Sequence, residues 1–280
     1  MGIIAERDVM AGGHSLRLYE SGARDATPVL FLHGSGPGVT AMANWRGLMT
    51  DLATEFYNIA PDVLGFGDSV GPDPFPRGFM ASLDLRAQST LALLDEFQVE
   101  SAHVVGNSMG GIMALRMAQL APSRLRKIVL MGSAAEGGLT SEAIAGSMAF
   151  SADPTVKTIG DLLRLFVHDE ETFDRDLDEL AVERLAVALR PDVVRAAAAS
   201  ADPTGPPLNF TPEALGQLHH ETLVVHGRED RVLPVERSYY LARHLPNAQL
   251  HVFPRSGHWA HLEQAERFRF LLQAFLQGTL

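Results

Sequence analysis

The chain has 280 residues, 46% hydrophobic and 20% charged, a globular composition that excludes disorder as the dominant state. It contains no cysteine, which excludes a disulfide scaffold, thiolate metal sites and a thiol nucleophile, and fits a reducing cytoplasm. Its 23 basic and 34 acidic residues give a net charge of −11, which argues against nucleic-acid binding but leaves room for a small anion beside a local cation.

The first ten residues include Glu6, Arg7 and Asp8, which break the apolar stretch a signal peptide needs. Glu6 also stands where a myristoylation signal needs Ser or Thr. No uncharged apolar run approaches about 20 residues, so no membrane span is expected.

From there strand and helix signals alternate. Leu16–Tyr19 reads as a strand, and Pro28–Leu32 is an apolar run ending in the glycine-rich loop His33–Gly38. Met42–Phe56 has helical spacing, Tyr57–Ala60 is a short strand, and Pro61–Gly71 is turn-rich. Leu83–Phe97 is an amphipathic helix, Ala102–Gly106 a strand, Met109–Leu120 a helix and Lys127–Met131 a strand. From Ser133 to about Thr211 the periodicity is helical, clearest over Phe173–Leu189 and stopped at Pro191, with a proline-rich return over Pro203–Pro212. Alternation then resumes with strand Leu223–His226, helix Val235–His244, strand Gln249–Phe253 and helix Trp259–Gln277.

Alternation of this kind predicts an α/β fold with a mostly parallel, doubly wound sheet and helices on both faces. Residues 1–133 and 214–280 form its core, and 134–213 insert a helical cap over the carboxyl ends of the strands, where open α/β sheets bind ligands.

Gly106–Asn107–Ser108–Met109–Gly110 matches G-x-S-x-G between a strand and a helix. A sharp strand-to-helix turn exposes the serine, and glycines two residues either side avoid a clash. Ser108 then needs a base and an acid, in the chain order Ser, acid, His. Among 11 histidines, His258 lies just after the last strand, where a base can lean over the serine. His261 reads as a packed or solvated helix residue, His226 as a structural strand histidine, and His219 and His220 as surface residues. Asp230 follows a buried strand directly and is the favoured acid, with Glu229 and Glu136 as competitors. The glycines of His33–Gly38 let backbone amides approach a substrate oxygen, so the amides of Ser35 and Met109 are the candidate oxyanion donors. No metal-ligand spacing such as HExxH occurs, and this chemistry requires no metal or organic cofactor.

Over its whole length the chain resembles the α/β-hydrolases. It is most similar to the meta-cleavage product hydrolases, which split carbon–carbon bonds in ring-fission products of aromatic compounds. The residues that carry the resemblance are His33–Thr40, Asn44–Trp45, Ala60–Asp62, Gly65–Gly67, Gly106–Gly111, Gly227–Arg231 and Gly257–Trp259. The Ser-Gly-Pro-Gly loop with Asn44, and an elbow opening Gly-Asn, are more specific than the triad, which generic esterases share. One departure is Met42, where close relatives often carry Trp.

The resemblance implies a small anionic dienoate as substrate and no cofactor. It places Asn44 and Asn107 at the polar end of the pocket, with Gly34 and Gly36 in the loop beside it. Arg184 would bind the carboxylate and 2-oxo group, with Arg190 nearby as the alternative, Trp259 would flank the dienoate, and Val232 and Leu233 would line the pocket. It also implies a homodimer or higher homo-oligomer. A carboxylesterase or lactonase on the same triad is the alternative, and a non-catalytic ligand-binding relative is a third reading that the complete triad opposes. Ser108 opposes an aspartate-nucleophile dehalogenase or epoxide hydrolase.

Overall fold

The computed structural model describes every residue except Met1, Thr172, Asp174 and Asn209. Eight strands form one sheet: β1 (Ala5–Ala11), β2 (His14–Ser21), β3 (Thr27–Leu32), β4 (Phe56–Pro61), β5 (Ala102–Asn107), β6 (Leu125–Met131), β7 (Thr222–Gly227) and β8 (Ala248–Phe253). Their order is β1-β2-β4-β3-β5-β6-β7-β8; β2 is antiparallel to both its neighbours and all other pairs are parallel. Strands β3 to β7 are almost wholly buried, as expected for short apolar runs with helices on both sides.

One face is covered by α2 (Phe79–Glu96), α3 (Met109–Leu120) and α9 (Glu236–His244), around Leu30, Val104, Met113 and Leu241. The other is covered by α1 (Ala41–Asp51) and α11 (Ala265–Gln277), around Phe31, Trp45, Phe253 and Phe268. Between β6 and β7 run α4 (Ser141–Ala152), α5 (Val156–Leu163), α6 (Leu177–Ala188), α7 (Pro191–Ser200) and the short α8 (Pro212–Gly216). Helices α5 and α6 share a separate apolar cluster with Phe166, Val232 and Trp259, so this layer packs on the loops of the sheet rather than on its faces.

The register lines up one edge. Leu32 pairs with Gly106, Asn107 with Met131, Met131 with Val225 and Gly227 with Phe253, so the loops after β3, β5, β6, β7 and β8 emerge side by side. The path reverses between β3 and β5, a topological switch point with a crevice at the carboxyl ends.

Several boundaries differ from the sequence reading. Strand β1 carries no sequence signal because it is an exposed edge with no buried face. The helix predicted over Phe173–Leu189 begins only at Leu177, because the Asp176 carboxylate caps the Asp178 and Glu179 amides. That prediction also covers Asp174, and the Pro203–Pro212 return covers Asn209, both outside the described residues. The helix predicted over Trp259–Gln277 is two helices, α10 (Ala260–Glu263) and α11, because Gln264 leaves helical geometry at φ −120° and ψ 40°. Among the described residues no helix is long and apolar enough to cross a membrane.

Candidate active site

Ser108 occupies the turn between β5 and α3 at φ 54°, a strained value for a residue with a side chain. Its neighbours explain the glycines. A Cβ at Gly106 would come within 2.4 Å of the Gly110 backbone, and one at Gly110 within 2.1 Å of the Leu32 carbonyl. The turn is also pinned across the sheet, with the Ser108 amide donating to Met131 O at 2.8 Å. Ser108 therefore stands at the amino end of α3, in front of the loop from β3; Gly34 lies so close that a Cβ there would be 3.1 Å from that of Ser108.

His258, on the loop after β8, and Asp230, on the loop after β7, meet at 2.7 Å between Nδ1 and Oδ2, both side chains buried. The other oxygen of Asp230 accepts the Val232 and Leu233 amides at 2.7 and 2.9 Å. Burial alone would raise the Asp230 carboxyl, but the charge of His258 and hydrogen bonds from His226 and His258 outweigh it and hold the group well below the ordinary carboxylate range. With Nδ1 tied to Asp230, Nε2 is the imidazole nitrogen left for the cavity that His258 shares with Ser108. Glu229 is engaged elsewhere: its carboxylate accepts the Ser256 amide at 2.9 Å and pairs with Arg228.

The same cavity is lined by Gly34, Ser35, Gly36, Asn44, Asn107, Arg184, Val232 and Trp259. Asn44 Nδ2 donates to Asn107 Oδ1 at 3.0 Å, and Asn107 Nδ2 donates to Met131 O at 3.2 Å. His261 is buried and donates to the Asn44 carbonyl at 3.1 Å, so it supports the asparagine from behind. Met109 opens α3 beside Ser108, while its side chain is turned toward Arg86. Leu233 does not reach the cavity: its backbone is spent on Asp230 and His226. Met42, in the first turn of α1, also lies away from the cavity, half-buried against the apolar cluster on that face of the sheet.

Arg184 is the one cation lining this cavity among the described residues, and it is only 3% exposed. Its guanidinium lies 5.0 Å over the Trp259 ring, which stacks on Phe166 at 4.8 Å. No described carboxylate forms an ion pair with it, and its Nε has no described partner. Burial pushes its pKa down to about 9. Arg190, by contrast, is bound to Asp68 and Asp192 outside the cavity.

The sequence reading missed three contributors. His33 is buried, donates Nδ1–H to Gly34 O at 2.7 Å and accepts the Val63 amide at Nε2, which ties the glycine loop to the β4 side; burial holds it neutral, at about 4. Phe166, between α5 and α6, faces both His258 and Trp259. His226 touches the Asp230 carboxylate. His33 and Phe166 are defined by neighbours distant in sequence, while His226 is four residues from Asp230 but its strand position does not say that its ring meets that carboxylate.

Residues 27–265 match the family model of the alpha/beta hydrolase fold. The chain is 39% identical over 276 residues to the 2-hydroxymuconate semialdehyde hydrolase of Pseudomonas sp. (strain CF600), covering 96% of this chain and 93% of that protein. It is 36% identical to the 2-hydroxy-6-oxo-2,4-heptadienoate hydrolase of Pseudomonas putida, over 96% and 95% of the two chains. Among solved structures, the 2-hydroxy-6-oxo-6-phenylhexa-2,4-dienoate hydrolase of Rhodococcus sp. strain RHA1 superimposes with a TM-score of 0.93 at 36% identity, over 99% of this chain and all of that one.

Proposed function

This chain belongs to the α/β-hydrolase family, within it to the meta-cleavage product hydrolases, and from that membership we propose how its own residues divide the reaction. The reaction is hydrolysis of the C5–C6 bond of a 2-hydroxy-6-oxo-hexa-2,4-dienoate, consuming one water and giving 2-hydroxypenta-2,4-dienoate and a carboxylic acid. A carbon–carbon bond beside a ketone breaks this way only if the leaving carbon's electrons have somewhere to go. Protonation at C5 first converts the dienol to its keto form, and on cleavage the electron pair delocalises into the 2-oxo group.

The observation that carries the division of roles is Arg184, a buried cation without a described carboxylate partner in the cavity of Ser108 and His258. A planar guanidinium suits a carboxylate with an adjacent oxygen, and it lies where water competes little. Trp259 is its platform, and Asn44 and Asn107 complete the polar end. At the other end His258 moves the proton, oriented by Asp230, and Ser108 or a water held beside it attacks C6. The amides of Ser35 and Met109 receive the developing oxyanion at the amino end of α3. Residues 134–213 act as the lid, with α4 to α7 closing the site. A cytoplasmic location and a homo-oligomeric assembly complete the proposal, and neither role requires a metal or cofactor.

The test is a spectrophotometric panel of ring-fission products, whose yellow colour disappears on cleavage, with the two products identified. Preference over a simple aryl ester of at least about 100-fold in kcat/KM is expected, since two or more polar anchors are each worth about 1–3 kcal/mol. Good ester hydrolysis with no dienoate turnover would instead identify an esterase or lactonase.

A further inference from the structure

The Asp230 carboxylate has a second histidine on it. His226 lies at the end of β7, fully buried, with Nε2 at 3.3 Å from Asp230 Oδ2, the same oxygen that receives His258 Nδ1 at 2.7 Å. Nε2 is also 3.0 Å from the Leu233 carbonyl. A carbonyl and an ionised carboxylate can only accept, so Nε2 carries a hydrogen and points it at both. The other nitrogen, Nδ1, is 2.7 Å from the hydroxyl of Ser238, a fully buried residue in the first turn of α9. In the neutral imidazole Nδ1 accepts that hydroxyl's proton, so Ser238 fixes the tautomer that serves Asp230. A chain of hydrogen bonds thus runs from α9 through Ser238, His226 and Asp230 to His258.

A buried neutral imidazole has one donor and one acceptor nitrogen to satisfy. This one has both nitrogens committed, one of them against the carboxylate that orients the base. A donor on Oδ2 draws negative charge away from His258 and stops the carboxylate from turning about its own bond. We propose that His226 is a positioning residue for the cleavage reaction, holding Asp230 Oδ2 toward His258 and sharing its charge. The inference rests on the assignment of Asp230 and His258 as orienting acid and base. Few other titratable or charged groups face this chain. His261 of α10 lies behind His258, held neutral at about 3 by burial, and Arg184 of α6 lies across the cavity. After β6, a Cβ at Gly132 would lie 3.0 Å from His258 Nδ1, and from the cap the Phe166 ring lies 5.3 Å from the His258 ring.

The test is the pH dependence of kcat and kcat/KM on a dienoate, from about pH 5 to 9, for His226→Phe, His226→Gln and Ser238→Ala. His226→Phe should move the acid limb of kcat/KM up by about half to one pH unit and lower kcat roughly tenfold, with KM within about twofold, because the residue does not touch substrate. His226→Gln keeps an N–H and should lie closer to wild type. Ser238→Ala frees the tautomer and should shift the limb the same way by less. A merely structural histidine would lower the active fraction and the Tm without moving the limb, and that result overturns the proposal. If His226→Phe does not fold, an unshifted limb in Ser238→Ala overturns it alone. Asp230→Asn and His258→Ala are measured alongside: near wild-type turnover in either would show that the underlying assignment fails, whereas their loss with unshifted limbs in the His226 and Ser238 variants would sink this inference only.

Discussion

Replacing Arg184 by Met should separate recognition of the substrate anion from the cleavage machinery. Arg184 is 3% exposed, and burial lowers its pKa well below the ordinary arginine value, to about 9, so the free enzyme carries an unfavourable buried charge. A bound carboxylate recovers part of that, so we expect Arg184→Met to weaken dienoate kcat/KM by about 2–4 kcal/mol, roughly 30- to 1,000-fold. An uncharged ester, which uses Ser108 and His258 alone, should lose less than about 1 kcal/mol. Arg184→Lys should restore only part, since a point charge cannot make the two-pronged contact. Arg184→Met should also be more stable at pH 7, by about 1–3 kcal/mol in urea denaturation, because an unpaired buried charge is gone. The sign follows from linkage. The folded value lies below the unfolded one, so the cost is fully present at and below about 9 and is relieved only at higher pH. Equal losses on charged and uncharged substrates would refute the reasoning and make Arg184 a packing residue of the cap. No loss on either, with a large one for Arg190→Ala, would place the anion site elsewhere.

Ser108→Ala and His258→Ala should each lower dienoate turnover by roughly 1,000-fold or more, and the double variant should lose little beyond either; retention of about a tenth of wild-type rate by Ser108→Ala would defeat the nucleophile–base assignment. Gly106→Ala puts a Cβ within 2.4 Å of the Gly110 backbone, so it should yield insoluble protein or a Tm lowered by several degrees; a wild-type melting curve would contradict the packing of the turn. Buried Asp62 accepts the Ala41 and Asp68 amides, yet burial raises its carboxyl to about 6. Its folded value exceeds the unfolded one, so its contribution is full below about pH 4 and declines by at most about 3 kcal/mol as pH rises through 6. Between about pH 4 and 6 wild type should lose stability relative to Asp62→Asn in denaturation, and parallel curves would show that Asp62 does not titrate there.

What could be read from the residues is what local sterics dictate. The elbow was legible because glycine at 106 and 110 answers a clash within a few residues, and α3 begins and ends where its spacing says. Strand β1 was illegible because its residues alternate between no two environments; only pairing with β2 makes it a strand. The break at Gln264 was equally hidden. Glu263 turns back to accept the His168 and Gly257 amides, at 2.7 and 2.6 Å, and that demand comes from the cap segment, not the helix. Val232 and Leu233, which the resemblance puts in the pocket together, both give their amides to Asp230, but of the two only Val232 lines the cavity. His226 looked structural because a strand position says nothing about which carboxylate stands at the strand's end.

Two glycines set where lid and core could be exchanged between homologous enzymes. At Gly38, with φ +62°, a Cβ would fall 1.9 Å from the Arg184 carbonyl, and at Gly257 one would fall 2.7 Å from the Phe166 carbonyl. Each belongs to the core side of the join, and each is shaped to a specific stretch of main chain on the lid side. A chimera that imports a foreign lid therefore inherits a steric requirement at positions outside the transplanted segment. For recombination breakpoints after β6 and before β7, the parent that supplies the core should therefore carry glycine at these two places. A library built on that rule should be enriched in active members over one shuffled at random, and the lid could then be traded as a module while the rest of the enzyme stays fixed.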